Sequence, residues 1–399
     1  MKNEKGSIMR PDALPASASR PVVTPLSPSV VYASDTPDML DQQYEGGLQG
    51  YTYSREGHPN ADVVAQRLDR LEGAPQAGIV TSSGMAAISA VLLGLTRSGD
   101  HVIGGSSLYG RSLRMMKEDL PRLGIATSLI DPGDPEAIKA ALRPETRLIL
   151  VEVVSNPTLR LADISALAQI AKEAGVLLVV DNTFTTPRGF QPFAAGADVV
   201  VHSLTKLLAG HSDVMLGYVA AADATVAERL RVFTVTAGMT GSPFDCWLAE
   251  RGLLSFDLRF DRAQATAVEL ADHLAALPGV RRVIYPGRAD HPDLDLVQKV
   301  LNGQTCNMVS FEIDGDRAAA NAFTRAAEGL SFAPTLGDVG TTISHPASSS
   351  HRALTLEERA VLGMSEGFFR VSVGLEDPQE LCRIFSQAVA AAVPPDAAS

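Results

Sequence analysis

Apolar and polar positions follow two different rhythms along this chain. Between residues 62 and 72 (Asp-Val-Val-Ala-Gln-Arg-Leu-Asp-Arg-Leu-Glu) the apolar side chains recur at helical spacing, which predicts a helix with one buried face. Ile79-Val80-Thr81 predicts a short strand, and a helix is expected from about Gly84 to Leu95. His101-Val102-Ile103 predicts another strand, followed by a helix around 110–120. Short apolar runs recur at 147–151, 176–180 and 198–202, with a helix at about 163–174 between the first two. Short Val, Ile and Leu runs separated by helices predict a mostly parallel sheet covered on both faces. Ligands of such sheets bind beyond the carboxyl ends of the strands, so the residues just after each run are the candidates for chemistry. A helical stretch at about 243–277 leads into a second alternating region, and a domain boundary is expected near residue 260. The first fifty or so residues, with Pro21, Pro25, Pro28 and Glu45-Gly46-Gly47, read as an extended arm. The expected organisation is an arm over 1–59, a large domain over 60–260 and a C-terminal domain over 261–399.

Composition narrows the possibilities. A chain of 399 residues suits a large α/β domain with a smaller companion. A net charge of -12 argues against nucleic acid as the main partner. Cys246, Cys306 and Cys382 are far apart and odd in number, so neither a disulfide framework nor a metal site is expected. No signal-peptide stretch is read in residues 1–20, and no apolar window reaches the length of a membrane helix. A cytoplasmic protein with a small-molecule substrate, no nucleic acid and no membrane is expected.

Two run ends stand out. Val179-Val180 leads into Asp181-Asn182-Thr183, and Val199-Val200-Val201 leads into His202-Ser203-Leu204-Thr205-Lys206. Taken singly, Asp181 reads as a helix N-cap, Lys206 as a solvated lysine, and Ser203 and Thr205 as turn residues. Together they fit a site for pyridoxal 5'-phosphate. A lysine forms an imine with the cofactor aldehyde, and a carboxylate keeps the pyridine nitrogen protonated so that the ring accepts electrons. Hydroxyls beside the lysine suit the phosphate. Ser82-Ser83-Gly84-Met85 opens a predicted helix whose free N–H groups attract the same anion, and Gly84 lets the backbone come close. Neither a Walker-type loop nor a convincing dinucleotide fingerprint is present.

Further motifs stand in order along the chain. They are Tyr53-Ser54-Arg55, Ser82-Ser83-Gly84-Met85-Ala86-Ala87, Leu108-Tyr109-Gly110, Ser155-Asn156-Pro157 and Asp181-Asn182-Thr183-Phe184 with Thr186-Pro187. His202-Ser203 with Thr205-Lys206, Gly210-His211-Ser212-Asp213-Val214, Ser242-Pro243-Phe244-Asp245 and His345-Pro346-Ala347-Ser348 follow, and Arg370, Ser372, Gly374 and Glu376 close the series. From about Tyr51 to Glu376, the chain thereby resembles the cystathionine γ-synthase-like group, also called the Cys/Met metabolism family. Its members include cystathionine γ- and β-lyases, methionine γ-lyase and O-acylhomoserine sulfhydrylases.

The resemblance implies the α/β architecture of fold type I: a mostly parallel sheet in a large cofactor domain and a smaller α+β C-terminal domain. It implies that Lys206 carries the Schiff base and shuttles protons, that Asp181 pairs with the pyridine nitrogen, and that Tyr109 stacks on the ring and helps proton transfer near the leaving group. Gly84 and Met85, with Ser203 and Thr205, would hold the phosphate; Ser83 and Thr183 complete the cofactor set. Tyr53 and Arg55 would reach the phosphate of a neighbouring subunit, which implies a homo-oligomer of at least two chains, usually four. Arg370 would grip the substrate α-carboxylate, with Asn156 and Thr335 assisting. His202 and His211 are read as buried structural histidines. The implied activity is carbon–sulfur lysis by γ-elimination, with γ-replacement on an activated homoserine and β-elimination as alternatives. Departures from the family pattern are Leu207 after the lysine, Arg111 after Tyr109-Gly110, His58-Pro59-Asn60, Glu152-Val153-Val154 and Pro334-Thr335. Arg111 is expected either near the distal end of the substrate, favouring an anionic group, or at an interface or in solvent.

Overall fold

The computed structural model describes residues 17–301, 303–352 and 355–393. Residues 1–16 of the expected arm and 394–399 of the expected C-terminal domain lie outside them. A seven-stranded sheet comprises β1 (Ile79–Thr81), β2 (His101–Gly105), β3 (Ala126–Ile130), β4 (Thr146–Glu152), β5 (Leu177–Asp181), β6 (Val199–Ser203) and β7 (Gly217–Ala221). Their spatial order is β1-β7-β6-β5-β4-β2-β3. Neighbours from β6 to β3 run parallel, while β7 is antiparallel to β6 and to β1.

The apolar runs have a simple cause. Ile149 and Val151 pack with Leu178, Val180 and Val200 on one face of the sheet. Leu148 and Leu150 pack with Val179, Val199 and Val201 on the other. Successive strand side chains point to opposite faces, so a strand covered on both sides is apolar at every position. β3 and β7 carry no such run. β3 is an edge strand with half-exposed Thr127 and Ser128, and β7 is built largely from Gly and Ala, which favour strands weakly.

Two expected helices are broken. The one around 110–120 is a short helix Gly110–Arg114, a wide π turn Met115–Asp119 and a helical end Leu120–Arg122. Pro121 has no N–H to offer to the regular ladder at this point. The stretch 243–277 is two helices, Pro243–Leu253 and Phe256–Ala275. Between them the Gly252 carbonyl is taken by Arg259 Nη2 at 2.8 Å rather than by a continuing helix. The boundary expected near 260 falls within the second helix. The arm also contains a helix that its Pro and Gly content did not suggest, Pro37–Tyr44, capped by Thr36. Its earlier part docks on the main body, where Trp247 Nε1 donates to the Thr24 carbonyl at 2.9 Å.

A second sheet of five strands comprises β8 (Val280–Ile284), β9 (Met308–Ile313), β10 (Ser331–Phe332), β11 (Thr342–Ser344) and β12 (Phe368–Ser372), in the order β10-β11-β12-β9-β8. Only β10 and β11 pair in parallel. Phe311, Phe323, Phe369 and Phe385 form its aromatic core. Among the described residues, no helix is long and apolar enough to cross a membrane.

Candidate active site

A cavity of about 1190 Å³ opens at the carboxyl ends of β4, β5 and β6 and is lined from the other side by Arg370 of β12 and by the segments 334–336 and 348–352. β5 ends at Asp181, which pairs with Val201 of β6, so strand register brings the carboxyl beside the turn that carries Lys206. Thr183 ties the two together. Its N–H and Oγ1 donate to Asp181 Oδ1 at 3.0 and 2.6 Å, and its Oγ1 accepts the Ser203 N–H at 2.9 Å. Burial raises the Asp181 pKa, while the two bonds from Thr183 and nearby His202 favour its charged form.

Lys206 Nζ donates to Thr335 Oγ1 at 3.3 Å. Burial, with a smaller contribution from the Arg370 charge, lowers its pKa from 10.5 to about 8. A free amine near neutral pH attacks carbonyl carbon readily. Behind it, the buried Arg259 guanidinium donates to the carbonyls of Leu207 and Leu208 at 2.8 and 3.1 Å, which fixes the turn. Gly337 approaches the same turn so closely, with φ +81°, that a Cβ there would lie 2.3 Å from the Leu207 nitrogen.

The chain leaves β1 through Ser83, whose Oγ accepts the Ala86 N–H at 3.1 Å and starts the helix Gly84–Gly94. Ser83, Gly84 and Met85 line the cavity. A Cβ on Gly84 would lie 2.7 Å from Ser203 Cβ, so only glycine lets the helix start approach β6. The unpaired N–H groups of a helix start favour an anion. Ser203 and Thr205 line the cavity too, but the Thr205 hydroxyl is already engaged with the Leu216 backbone, at 3.2 and 3.3 Å.

Arg370 enters from β12. Its Nη1 donates to Asn156 Oδ1 at 2.7 Å and its Nη2 to the Thr335 carbonyl at 2.8 Å. Its Nε is buried without a partner. Burial lowers its pKa to about 10. A buried guanidinium whose partners are both neutral, with a donor left over, is suited to an incoming carboxylate. Tyr109, 40 % exposed, and exposed Arg111 lie toward the mouth of the same cavity.

Pyridoxal 5'-phosphate fits these residues. The cavity offers it an amine with a lowered pKa, a buried carboxyl, and a helix start that Gly84 lets lie against Ser203. Tyr53 and Arg55 are not brought to the cavity of their own chain. Tyr53 is 40 % exposed, and Arg55 reaches the Val235 carbonyl at 3.4 Å and Glu56 at 3.3 Å. His202 is buried and bonded to Glu72, as expected of a structural histidine. His211 is exposed instead, because it follows Gly210 on a surface turn, with Nδ1 held by the Ala209 carbonyl at 2.7 Å. Glu152 and His351 are among the cavity residues that carry no role in the sequence pattern. Glu152 was within reach of the strand-end rule, since it closes β4 as Asp181 closes β5. His351 lies just past the His345-Pro346-Ala347-Ser348 motif, and burial beside Arg370 lowers its pKa to about 4.

The family model described as Cys/Met metabolism PLP-dependent enzyme matches residues 8–390. A cystathionine γ-lyase of Bacillus subtilis is 39% identical over 348 residues, 87% of this chain and 91% of that protein. An O-succinylhomoserine sulfhydrylase of Pseudomonas aeruginosa is 40% identical over 349 residues, 88% of this chain and 86% of that protein. The crystal structure of cystathionine γ-synthase from Xanthomonas oryzae pv. oryzae in complex with cystathionine superimposes with a TM-score of 0.87 at 36% identity, covering 93% of each chain. The chain belongs to the Cys/Met metabolism family of pyridoxal-phosphate-dependent enzymes.

Proposed function

We propose that the protein is a carbon–sulfur lyase that breaks the Cγ–S bond of a sulfur amino acid by γ-elimination, consuming water and releasing a thiol, 2-oxobutyrate and ammonia. The observation that carries this reading is the placement of one buried amine, Lys206, within hydrogen-bond reach of Thr335, whose carbonyl also holds Arg370. Arg370 and Asn156 bind the substrate α-carboxylate and so present the Cα–H to Lys206. Lys206 Nζ takes that proton, and subsequently one from Cβ. Tyr109 delivers a proton to the departing sulfur. Asp181 pairs with the ring nitrogen, and the helix start at Gly84 and Met85, with Ser83, Thr183, Ser203 and Thr205 nearby, holds the phosphate. The bound cofactor supplies the electron sink for both deprotonations.

The assembled form in this reading is a homo-oligomer, a tetramer built from dimers, in which Tyr53 and Arg55 serve the neighbour's phosphate. Their distance from the cavity of their own chain supports this. Residues 60–260 form the cofactor domain and 261–399 the C-terminal domain. Three free cysteines suit a reducing, cytoplasmic setting.

One observation favours γ-replacement as a second reading. Arg111 and Lys117 bring two exposed cations to the cavity lining, which suits a homoserine ester ending in a carboxylate. The test is to supply L-cystathionine without added thiol and identify the 2-oxo acid. 2-Oxobutyrate supports γ-elimination, and pyruvate replaces it with β-elimination. No oxo acid, together with turnover of O-succinylhomoserine and cysteine, establishes replacement.

A further inference from the structure

Glu152 closes β4 in register with Asp181 at the end of β5. Neighbouring strands lie roughly 4.8 Å apart, so two carboxyl side chains leave the sheet side by side and line the same cavity. Asp181 already has a part in the site; Glu152 has none. Glu152 Oε1 accepts the Tyr109 backbone N–H at 2.7 Å, and the Asn156 backbone N–H faces the same carboxyl. Oε2 is shut off from water and has no partner. One buried carboxyl therefore touches the backbones of two residues of the site and has an oxygen to spare.

Two carboxylates this close in a buried site do not both ionise; one keeps a proton. Their surroundings decide which. Asp181 receives two hydrogen bonds from Thr183 and lies near His202, and both favour its charge. Burial, and after it the charge of Asp181, push the Glu152 pKa well above the ordinary carboxylate range, against the smaller opposing effect of the Tyr109 and Asn156 backbone N–H groups. Tyr109, Arg111, Arg114, Lys117, Glu118, Lys206, His351, Arg352, Glu358 and Arg370 are the other titratable groups that line this cavity, and Glu152 receives no side-chain hydrogen bond from them.

We propose that Glu152 is a positioning residue that keeps a proton on its buried, unpartnered Oε2 beside a charged Asp181 and holds the Tyr109 backbone with Oε1. The proposal rests on the reading of Asp181 as the partner of the ring nitrogen. It gives the pair a single negative charge, so that Asp181 alone sets the charge opposite that nitrogen. It also places Tyr109 on the substrate side and Asp181 on the ring side under one carboxyl group.

Two variants separate the roles. Glu152→Gln keeps an acceptor and a donor and carries no charge; Glu152→Ala has neither group. In the cofactor-bound protein, Glu152→Gln should leave the pH midpoint of the visible absorbance and kcat/KM at their wild-type values. Glu152→Ala should lower kcat/KM by about 10²-fold, the scale of a misplaced catalytic group, and shift that midpoint. The infrared difference between wild type and Glu152→Gln at pH 7 should show the carbonyl stretch of a protonated carboxyl. A missing band overturns the proposal, as does Glu152→Gln falling as far as Glu152→Ala, or Glu152→Ala behaving as wild type. Because Glu152→Gln is isosteric, the infrared result stands even if the alanine variant folds poorly. Failure of the underlying reading looks different: Asp181→Asn would leave absorbance and turnover unchanged while the wild-type infrared band is present.

Discussion

Competitive acetylation of the cofactor-free protein across a pH series should show Lys206 titrating near pH 8. Burial is the main cause of its lowered pKa and the Arg370 charge the lesser one. The consequence for reactivity is large. At pH 7 an amine with an ordinary pKa of 10.5 is neutral in roughly 3 of 10⁴ molecules, and one with a pKa of 8 in roughly one of ten, a gain of about 300-fold. Mass spectrometry of the acetylated peptide, against a free lysine amide in the same tube, measures the midpoint directly. Arg370→Gln removes the lesser cause, so the midpoint should rise yet stay below 10.5. The same displacement predicts a stability trend. The folded value lies below the unfolded one, so between about pH 8 and 10.5 the unfolded chain holds a proton on Lys206 that the folded chain lacks. Wild type should therefore gain stability relative to Lys206→Met as pH rises through that window, in paired thermal melts. A midpoint within half a unit of 10.5, or a gap between the two proteins that is flat across the window, would refute the argument that burial prepares this amine.

Three further outcomes follow from the geometry. Gly84→Ala forces the helix start away from Ser203 and should cost about 1–3 kcal/mol in thermal unfolding while weakening cofactor binding in equilibrium dialysis; an unchanged affinity removes the helix start from the phosphate site. Glu72→Ala strips the buried acceptor from His202 Nε2 and Asn182 Nδ2 and should cost about 1–3 kcal/mol in urea unfolding, whereas a loss confined to turnover would show that the network serves Asp181 rather than the fold. Arg111→Ala should lower kcat/KM for substrates ending in a carboxylate relative to methionine, and an unchanged ratio would place Arg111 outside substrate selection.

The strand ends show how far the sequence carried. Asp181 and Lys206 follow apolar runs whose meaning is local: an unbroken run reports burial on both faces, and the residue after it reaches the ligand edge. The same logic applied to Thr146–Glu152 would have marked Glu152, but its value lies in what stands beside it. β3 and β7 were not visible, because an edge strand with polar positions and a Gly–Ala strand lack the period that marks a buried one. The break at Gly252 was hidden for a related reason: the group that takes its carbonyl is Arg259, and helical spacing on both sides of the joint looks continuous.

By itself the sequence determined the doubly covered sheet and pointed to Lys206, Asp181 and the helix start at Gly84 as neighbours at the strand ends, since each rests on a few consecutive residues. Only the tertiary structure decided which residues close the cavity from the far side and which buried carboxyls stand side by side. Arg370 meets Asn156 across 214 residues of chain, and it does so because β12 of the second sheet closes the cavity from the opposite side. Glu152 and Asp181 come to stand side by side only through the register of β4 and β5. Periodicity records how deeply a residue is buried, whereas pKa values depend on which charges share that burial, and that is a property of the assembled sheet.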